Sequence, residues 1–218
     1  MIRFENLTKS FMVNGRRKIV IDDLNLTLPT GRSLALLGRN GAGKSTLMNI
    51  IAGNMRPDHG RIVTDGTISW PVGFGGSFHP ELTGAQNTRF LARVYGVDTD
   101  ELIAFVRDFA ALGQHFFMPV RTYSSGMKSR LTFGLSMGIR FDLYLVDEVT
   151  AAGDAAFRAK SKAVFEARMA EAGAIMVNHN LGELRDYCQE AIILEHGRLQ
   201  YFADIDEAIE VHKRNMGT

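Results

Sequence analysis

A mostly apolar run, Ser33-Leu34-Ala35-Leu36-Leu37, leads directly into Gly38-Arg39-Asn40-Gly41-Ala42-Gly43-Lys44-Ser45-Thr46. That loop runs in turn into Leu47-Met48-Asn49-Ile50-Ile51, which reads as the first turns of a helix. A strand, a glycine-rich loop and a helix in this order restrict the chain to an α/β domain with its ligand at the strand's carboxyl end. The loop fits G-x-x-x-x-G-K-[ST], with Gly38, Gly43, Lys44 and Ser45 at the fixed positions. Successive backbone N–H groups close around a polyphosphate only where side chains are absent, which accounts for Gly41 and Gly43. Lys44 supplies a point charge for the β- and γ-phosphate oxygens, and the Ser45 hydroxyl is placed to ligate Mg²⁺. Arg39, Asn40, Ala42 and Thr46 complete the candidate nucleotide-binding loop. A glycine-rich turn that binds nothing is the bland alternative, and the flanking strand and helix argue against it.

With 218 residues the chain is long enough for one large α/β domain carrying a small inserted subdomain. Its 25 basic residues nearly balance 24 acidic ones, so no basic field points to nucleic acid. Uninterrupted apolar stretches reach about five residues, far short of the ~18–20 that a membrane span needs. The N-terminus, Met1 to Lys9, has no apolar core of signal-peptide length. One cysteine, Cys188, makes an intramolecular disulfide impossible and suits a reducing cytosol. A soluble, cytoplasmic chain is the expectation.

Residues ahead of the loop alternate short strands with turns. Ile2–Glu5, Lys18–Ile21 and Leu24–Leu28 are strand candidates, and Asn14-Gly15 is a hairpin signal. An antiparallel patch therefore precedes the phosphate loop. Strands are also expected at Arg61–Val63 and Thr67–Trp70. From Gln86 to about Leu112 the apolar residues recur at three- and four-residue steps, and a further helix is expected from Gly126 to about Ile139. We read 84–140 as an inserted helical subdomain, with 1–83 and 141–218 forming the core. The remainder alternates strand and helix: Leu143–Val146, a helix from Ala155 to Glu171, then Ala174–Val177, Ala191–Leu194, and a closing helix from Asp206 to Asn215. Such alternation predicts a mostly parallel sheet with helices on both faces.

Asp147-Glu148 follows directly on the apolar run Leu143–Val146. A carboxylate pair at the carboxyl end of a buried strand is where an open α/β sheet places its ligands. Asp147 would hold Mg²⁺ opposite Ser45, largely through water. Glu148 would polarise the water that attacks the γ-phosphorus, a general-base role worth ~10²–10⁴ in rate. About 20 residues earlier stands Tyr123-Ser124-Ser125-Gly126-Met127, two hydroxyls and a glycine at the start of a helix. Taken alone, Ser-Ser-Gly is more often a helix cap. A second anion-binding surface is redundant within one subunit but makes sense if it serves a neighbour's nucleotide.

In this order, the motifs resemble those of the ATP-binding subunits of ABC transporters, over essentially the whole chain. The signature sequence is Ser124-Ser125-Gly126-Met127 where that family usually has Ser-Gly-Gly-Gln, and Ala151-Ala152-Gly153-Asp154 matches the D-loop. The resemblance implies that Phe11 stacks on adenine, that His179 contacts the γ-phosphate, and that Asp154 bridges subunits besides capping its own helix. One departure stands out: in Gly76-Ser77-Phe78-His79-Pro80-Glu81-Leu82-Thr83-Gly84, His79 occupies the place of the glutamine that touches Mg²⁺ and the attacking water. Trp70-Pro71-Val72-Gly73 and Phe78–Gly84 narrow the resemblance to the polysaccharide-export branch, closest to capsular polysaccharide exporters. O-antigen exporters of that branch commonly add a C-terminal carbohydrate-binding domain, for which a chain stopping at Thr218 leaves no room.

The resemblance implies an ABC ATPase fold, ATP and Mg²⁺ as ligands, and a two-fold dimer with each ATP shared between subunits. It also implies a separate polytopic permease within a larger export assembly, at the cytoplasmic face of the inner membrane. The groove beside Phe74–Leu82 is the expected docking surface, with Trp70, Phe74 and Phe78 as exposed anchors or as core. A guanine-reading GTPase switch is disfavoured, because no asparagine is followed by lysine. A soluble ABC protein of DNA repair or translation would show a long coiled coil, two nucleotide domains or a basic surface. Teichoic-acid and O-antigen exporters are the nearer alternatives.

Overall fold

The computed structural model describes residues 1–29, 31–72, 78–147 and 154–217. The chain divides into two compact units, Met1–Pro71 with Phe141–Glu148 and Glu171–Thr218, and Val72–Arg140 with Val149–Ala170.

In the first unit, β1 (Ile2–Val13) and β2 (Arg16–Leu28) pair as an antiparallel hairpin in which Val13 faces Arg16. Asn14 and Gly15 form its two-residue turn with φ of 50° and 74°. Positive φ at both positions matches the twist of the flanking strands, and Asn-Gly adopts it readily. β4 (His59–Thr64) joins the other edge of β1, giving the three-stranded order β2-β1-β4. A six-stranded sheet contains β3 (Ser33–Leu37), β5 (Ile68–Val72), β6 (Leu143–Asp147), β7 (Gly173–Val177), β8 (Glu190–Glu195) and β9 (Arg198–Phe202), in the order β5-β6-β7-β3-β8-β9. The pairs β6–β7, β7–β3 and β3–β8 are parallel, and β9 is antiparallel to β8. This is the α/β architecture expected, a mostly parallel sheet beside an N-terminal antiparallel one.

All residues of β3 and β7 are buried, which is why these strands are apolar without alternation. α1 (Lys44–Ile51) has only eight residues, fewer than the ~12–15 that make an isolated helix marginally stable. Packing therefore holds it: Leu47, Met48, Ile50 and Ile51 share one core with Ile2, Phe4, Ile21, Leu34, Leu36, Leu145, Ile175 and Ile192. Each such side chain contributes ~1.5–3 kcal/mol on burial. Trp70 belongs to the interior of this unit, 8% exposed with its ring edge-on to Phe141 at 5.5 Å. Of its two sequence readings, core packing is the one observed.

The second unit carries α2 (Gly84–Tyr95), α3 (Thr99–Ala110), α4 (Ser125–Gly138) and α5 (Ala155–Glu171). The periodic stretch 86–112 is thus two helices. Gly96 ends α2 in the left-handed region at φ 66°, and the Asp98 carboxylate accepts from Asp100 N and Glu101 N to start α3. α2 opens with a reciprocal cap between Thr83 and Gln86, worth ~1 kcal/mol. Gly134 and Gly138 let α3 lie close to α4: a Cβ at Gly138 would stand 2.6 Å from Leu102 Cδ1. Phe109 of α3 packs against Phe133 and, at 5.3 Å, edge-on to Phe157 of α5. That contact, with Lys160 Nζ donating to Asp108 O at 2.8 Å, explains why α5 belongs to this unit rather than to the core. Among the described residues of the first unit, β9 and α6 (Leu181–Tyr187) have no counterpart in the sequence expectation. α7 (Ile205–Met216) closes the first unit.

Candidate nucleotide-binding site

β3 is anchored in the core up to Leu37, so the chain leaves the sheet at a fixed point and turns through Gly38–Gly43 into α1. Three glycines are required there for different reasons. Gly38 has φ 149°, and a Cβ on it would lie 2.5 Å from Leu194 O. Gly43, the residue before α1, has φ 111° with Val20 Cβ and O at 3.2 Å from its added carbon. Gly41 has room, with Lys18 Nζ nearest at 3.9 Å, but its φ of 76° is one that side-chain-bearing residues rarely adopt. No side chain caps α1 and its first turn has no acidic residue. Its amide dipoles are therefore directed at the loop, the arrangement that binds anions at a helix N-terminus. Lys44 folds back over this loop, donating to Gly38 O at 2.6 Å and Arg39 O at 3.2 Å.

A cleft of about 570 Å³ opens above the loop. Asn40, Gly41, Gly43, Lys44, Ser45 and Thr46 line it, and so do Phe11, Asp147 and His179. The structure thus gathers these sequence-predicted residues of the first unit around one cavity. Gly38, Arg39 and Ala42 belong to the same loop without being part of that lining. Phe11 is 37% exposed, and Lys9 Nζ stands 5.5 Å from its ring centroid. Asp147 is the last residue of β6, in register with Val177 of β7. His179 follows β7 in a turn held by flanking asparagines: Asn180 N donates to Asn178 Oδ1, and Asn180 Oδ1 caps α6 through Gly182 N and Glu183 N. Val13, Lys18, Val20 and Val177 also line the cavity and are missing from the sequence-based site. For Val20 and Lys18 the available signal is strand alternation, two residues apart on the strand that faces Phe11.

In the second unit Ser124 is the N-cap of α4, its Oγ accepting from Met127 N at 3.2 Å. The cap leaves the hydroxyl proton available for donation. Ser124 and Ser125 are exposed. A Cβ at Gly126 would meet only Ser124 Oγ, at 4.0 Å, so this helix end is open to close approach. Tyr123 fixes it from below, buried and donating from Oη to His115 O at 2.6 Å. Asp154 caps α5 through Phe157 N at 2.8 Å and accepts from Arg130 Nη2 at 2.9 Å, while Arg130 lies over the Phe157 ring at 4.6 Å. First the Phe157 amide and then the Arg130 guanidinium hold the Asp154 carboxyl below its usual range.

His79 is set by a residue to which the sequence assigns no role. Asn87, 2% exposed, accepts from His79 N at 2.9 Å and donates to Thr83 O at 3.0 Å and to Leu82 O and His79 O at 3.2 Å. Its amide is satisfied throughout, as burial demands. Nδ1 of His79, an exposed residue, accepts from Glu81 N at 3.3 Å, which leaves Nε2 as the N–H donor of the neutral tautomer. Glu148, the expected general base, lies outside the described residues, as do Phe74, Gly76, Ser77 and the D-loop residues Ala151, Ala152 and Gly153.

A glycine-rich loop between a buried parallel strand and a helix, walled by an aromatic and by a carboxylate at a neighbouring strand end, defines a P-loop nucleotide-binding domain. The profile described as ABC transporter matches residues 21–151, and the chain belongs to that family. The polysialic acid transport ATP-binding protein KpsT of Escherichia coli is 49% identical over 216 residues, 98% of this chain and 96% of that protein. The capsule polysaccharide export ATP-binding protein CtrD of Neisseria meningitidis is 41% identical over 97% of this chain and 98% of its own. The ATP-binding cassette MJ0796, solved as a dimer in a post-hydrolysis state bound to ADP and Pi, superposes with a TM-score of 0.75 at 19% identity, over 94% of this chain and 99% of that one. That likeness extends to the fold. No helix among the described residues is long and apolar enough to cross a membrane.

Proposed function

We propose that this chain is the ATP-hydrolysing subunit of a transporter that exports a capsular polysaccharide across the bacterial inner membrane. It works as a homodimer with a separate permease, at the cytoplasmic face, within a larger export assembly. The observation that carries the reading is the cleft: Phe11, the loop residues Asn40, Gly41 and Gly43–Thr46, Asp147 and His179 meet around one cavity in the first unit. The near full-length identity to proteins named for polysialic acid and capsule export supports the substrate class.

Phe11 presents a ring face for adenine, and the loop amides and Lys44 receive the phosphates. Ser45 and Asp147 offer hard oxygen donors on one cavity, a set that suits Mg²⁺. Held there, Mg²⁺ would neutralise charge on the β- and γ-phosphates. Glu148 takes a proton from water as the water oxygen bonds to the γ-phosphorus. The bond to the bridging oxygen breaks, and ADP and phosphate leave. His179 steadies that water and the γ-phosphate. Ser124, Ser125 and Gly126 of a second copy close on the same phosphate, with Asp154 at the subunit junction. His79, in place of glutamine, keeps an N–H donor available through Nε2.

The test uses Glu148→Gln, expressed beside the wild-type chain in an encapsulated host. The expected result is loss of surface polysaccharide and its accumulation in the cytoplasm, because inactive copies enter mixed dimers. Unchanged surface polysaccharide at equal expression of the two chains contradicts the proposal.

A further inference from the structure

We infer that Lys18 is a second phosphate-contacting cation, reaching the nucleotide from the outer rim of the loop while Lys44 serves its inner side. The inference rests on the nucleotide reading above. In the β1–β2 register Phe11 stands directly opposite Lys18, so the two side chains leave the same face of the hairpin as neighbours. Val20, two residues on, shares that face, and all three border the cleft. The Lys18 ammonium spans from this wall to the loop, donating to Gly41 O at 3.1 Å. It therefore lies between the ring offered to the base and the amides offered to the phosphates. An ammonium has three donors, and the Gly41 carbonyl engages one. The Lys44 ammonium meets the same loop elsewhere, at Gly38 O and Arg39 O. Two cations at different points of one anion cradle divide a polyphosphate's charge between them, which a single lysine does less well.

A purely structural role is the competing account, in which Lys18 pins Gly41 in its left-handed conformation. Glutamine separates the two, since its amide still donates to Gly41 O but carries no charge, and arginine restores the charge. Binding of ATP, ADP and adenosine to Lys18→Gln and Lys18→Arg is measured by calorimetry, with Lys44→Ala alongside. The expected result is about a tenfold weaker Kd for ATP and ADP in Lys18→Gln, no change for adenosine, and recovery to within about threefold in Lys18→Arg. Parental affinity for ATP in Lys18→Gln, a loss that arginine does not restore, or an equal loss for adenosine overturns the inference. Should Lys44→Ala also bind ATP as the parent does, the nucleotide site itself falls, and the two failures are told apart.

Discussion

Single residues in the loop are constrained for reasons that the motif alone does not separate. Gly38 is needed for space and conformation together, since an added carbon would lie 2.5 Å from a backbone oxygen of β8, which cannot yield as a flexible side chain does. Gly41 is needed for conformation alone, at φ 76°. The left-handed region costs a side-chain-bearing residue ~1–2 kcal/mol. Gly41→Ala should therefore lower unfolding free energy by about that amount in urea titrations. Gly38→Ala should lose clearly more, because strand β8 must also shift. Equal losses would contradict the geometric account. Much at this scale was legible in the chain itself: the loop and Asp147 stand out by residue identity and position, and His179 by the family resemblance, and all border the cleft. The Asn87 hydrogen bonds were not readable, because a polar residue on the buried face of a helix shows its partners only once His79–Thr83 is folded against it. Lys18 was hidden likewise, read as the start of a strand until pairing set it opposite Phe11.

Elements marked by unbroken apolar runs were predicted where they occur, the periodic stretch 86–112 divides into two helices, and weakly buried elements were not predicted. β3, β6 and β7 are apolar because both faces are covered, and α4 begins one residue ahead of its predicted start. α6 has seven residues and buries only Leu184, and β9 buries only Phe202 fully, so neither carries a readable stripe. The turn between β8 and β9 depends on His196 and Gly197 at φ 47° and 80°, and histidine there is a faint signal. The cap of α5 gives a test by pH. Because the Phe157 amide and Arg130 lower the Asp154 carboxyl below 3.8 in the folded chain, its stabilising effect is present above that value and is lost as pH falls through the folded one. Asp154→Asn should thus be less stable than the parent at pH 7, with the gap closing as pH drops below ~4. Chemical denaturation across that range measures it, and a gap that stays constant with pH would contradict the assignment.

For the whole molecule, the residues assigned to hydrolysis are divided between the two units. The first holds Phe11, the loop, Asp147 and His179, and the second holds the open, Ser124-capped helix end and Asp154. A second copy of the chain brings both sets to each nucleotide if the pairing is two-fold. In the proposed pairing ATP would favour the closed state, because only that state would supply the second set of contacts. Converting a 1:99 population into 99:1 takes about 5.5 kcal/mol of such preference, which two shared polyphosphates can supply. The most direct test is the mass of the Glu148→Gln chain by light scattering, with and without ATP and Mg²⁺, beside a form that also carries Gly126→Glu. The account predicts a doubled mass only with ATP for the first, and a single-chain mass with ATP still bound for the second. A Glu148→Gln chain that binds ATP and stays single, or a pair that forms regardless of Gly126→Glu, would contradict it.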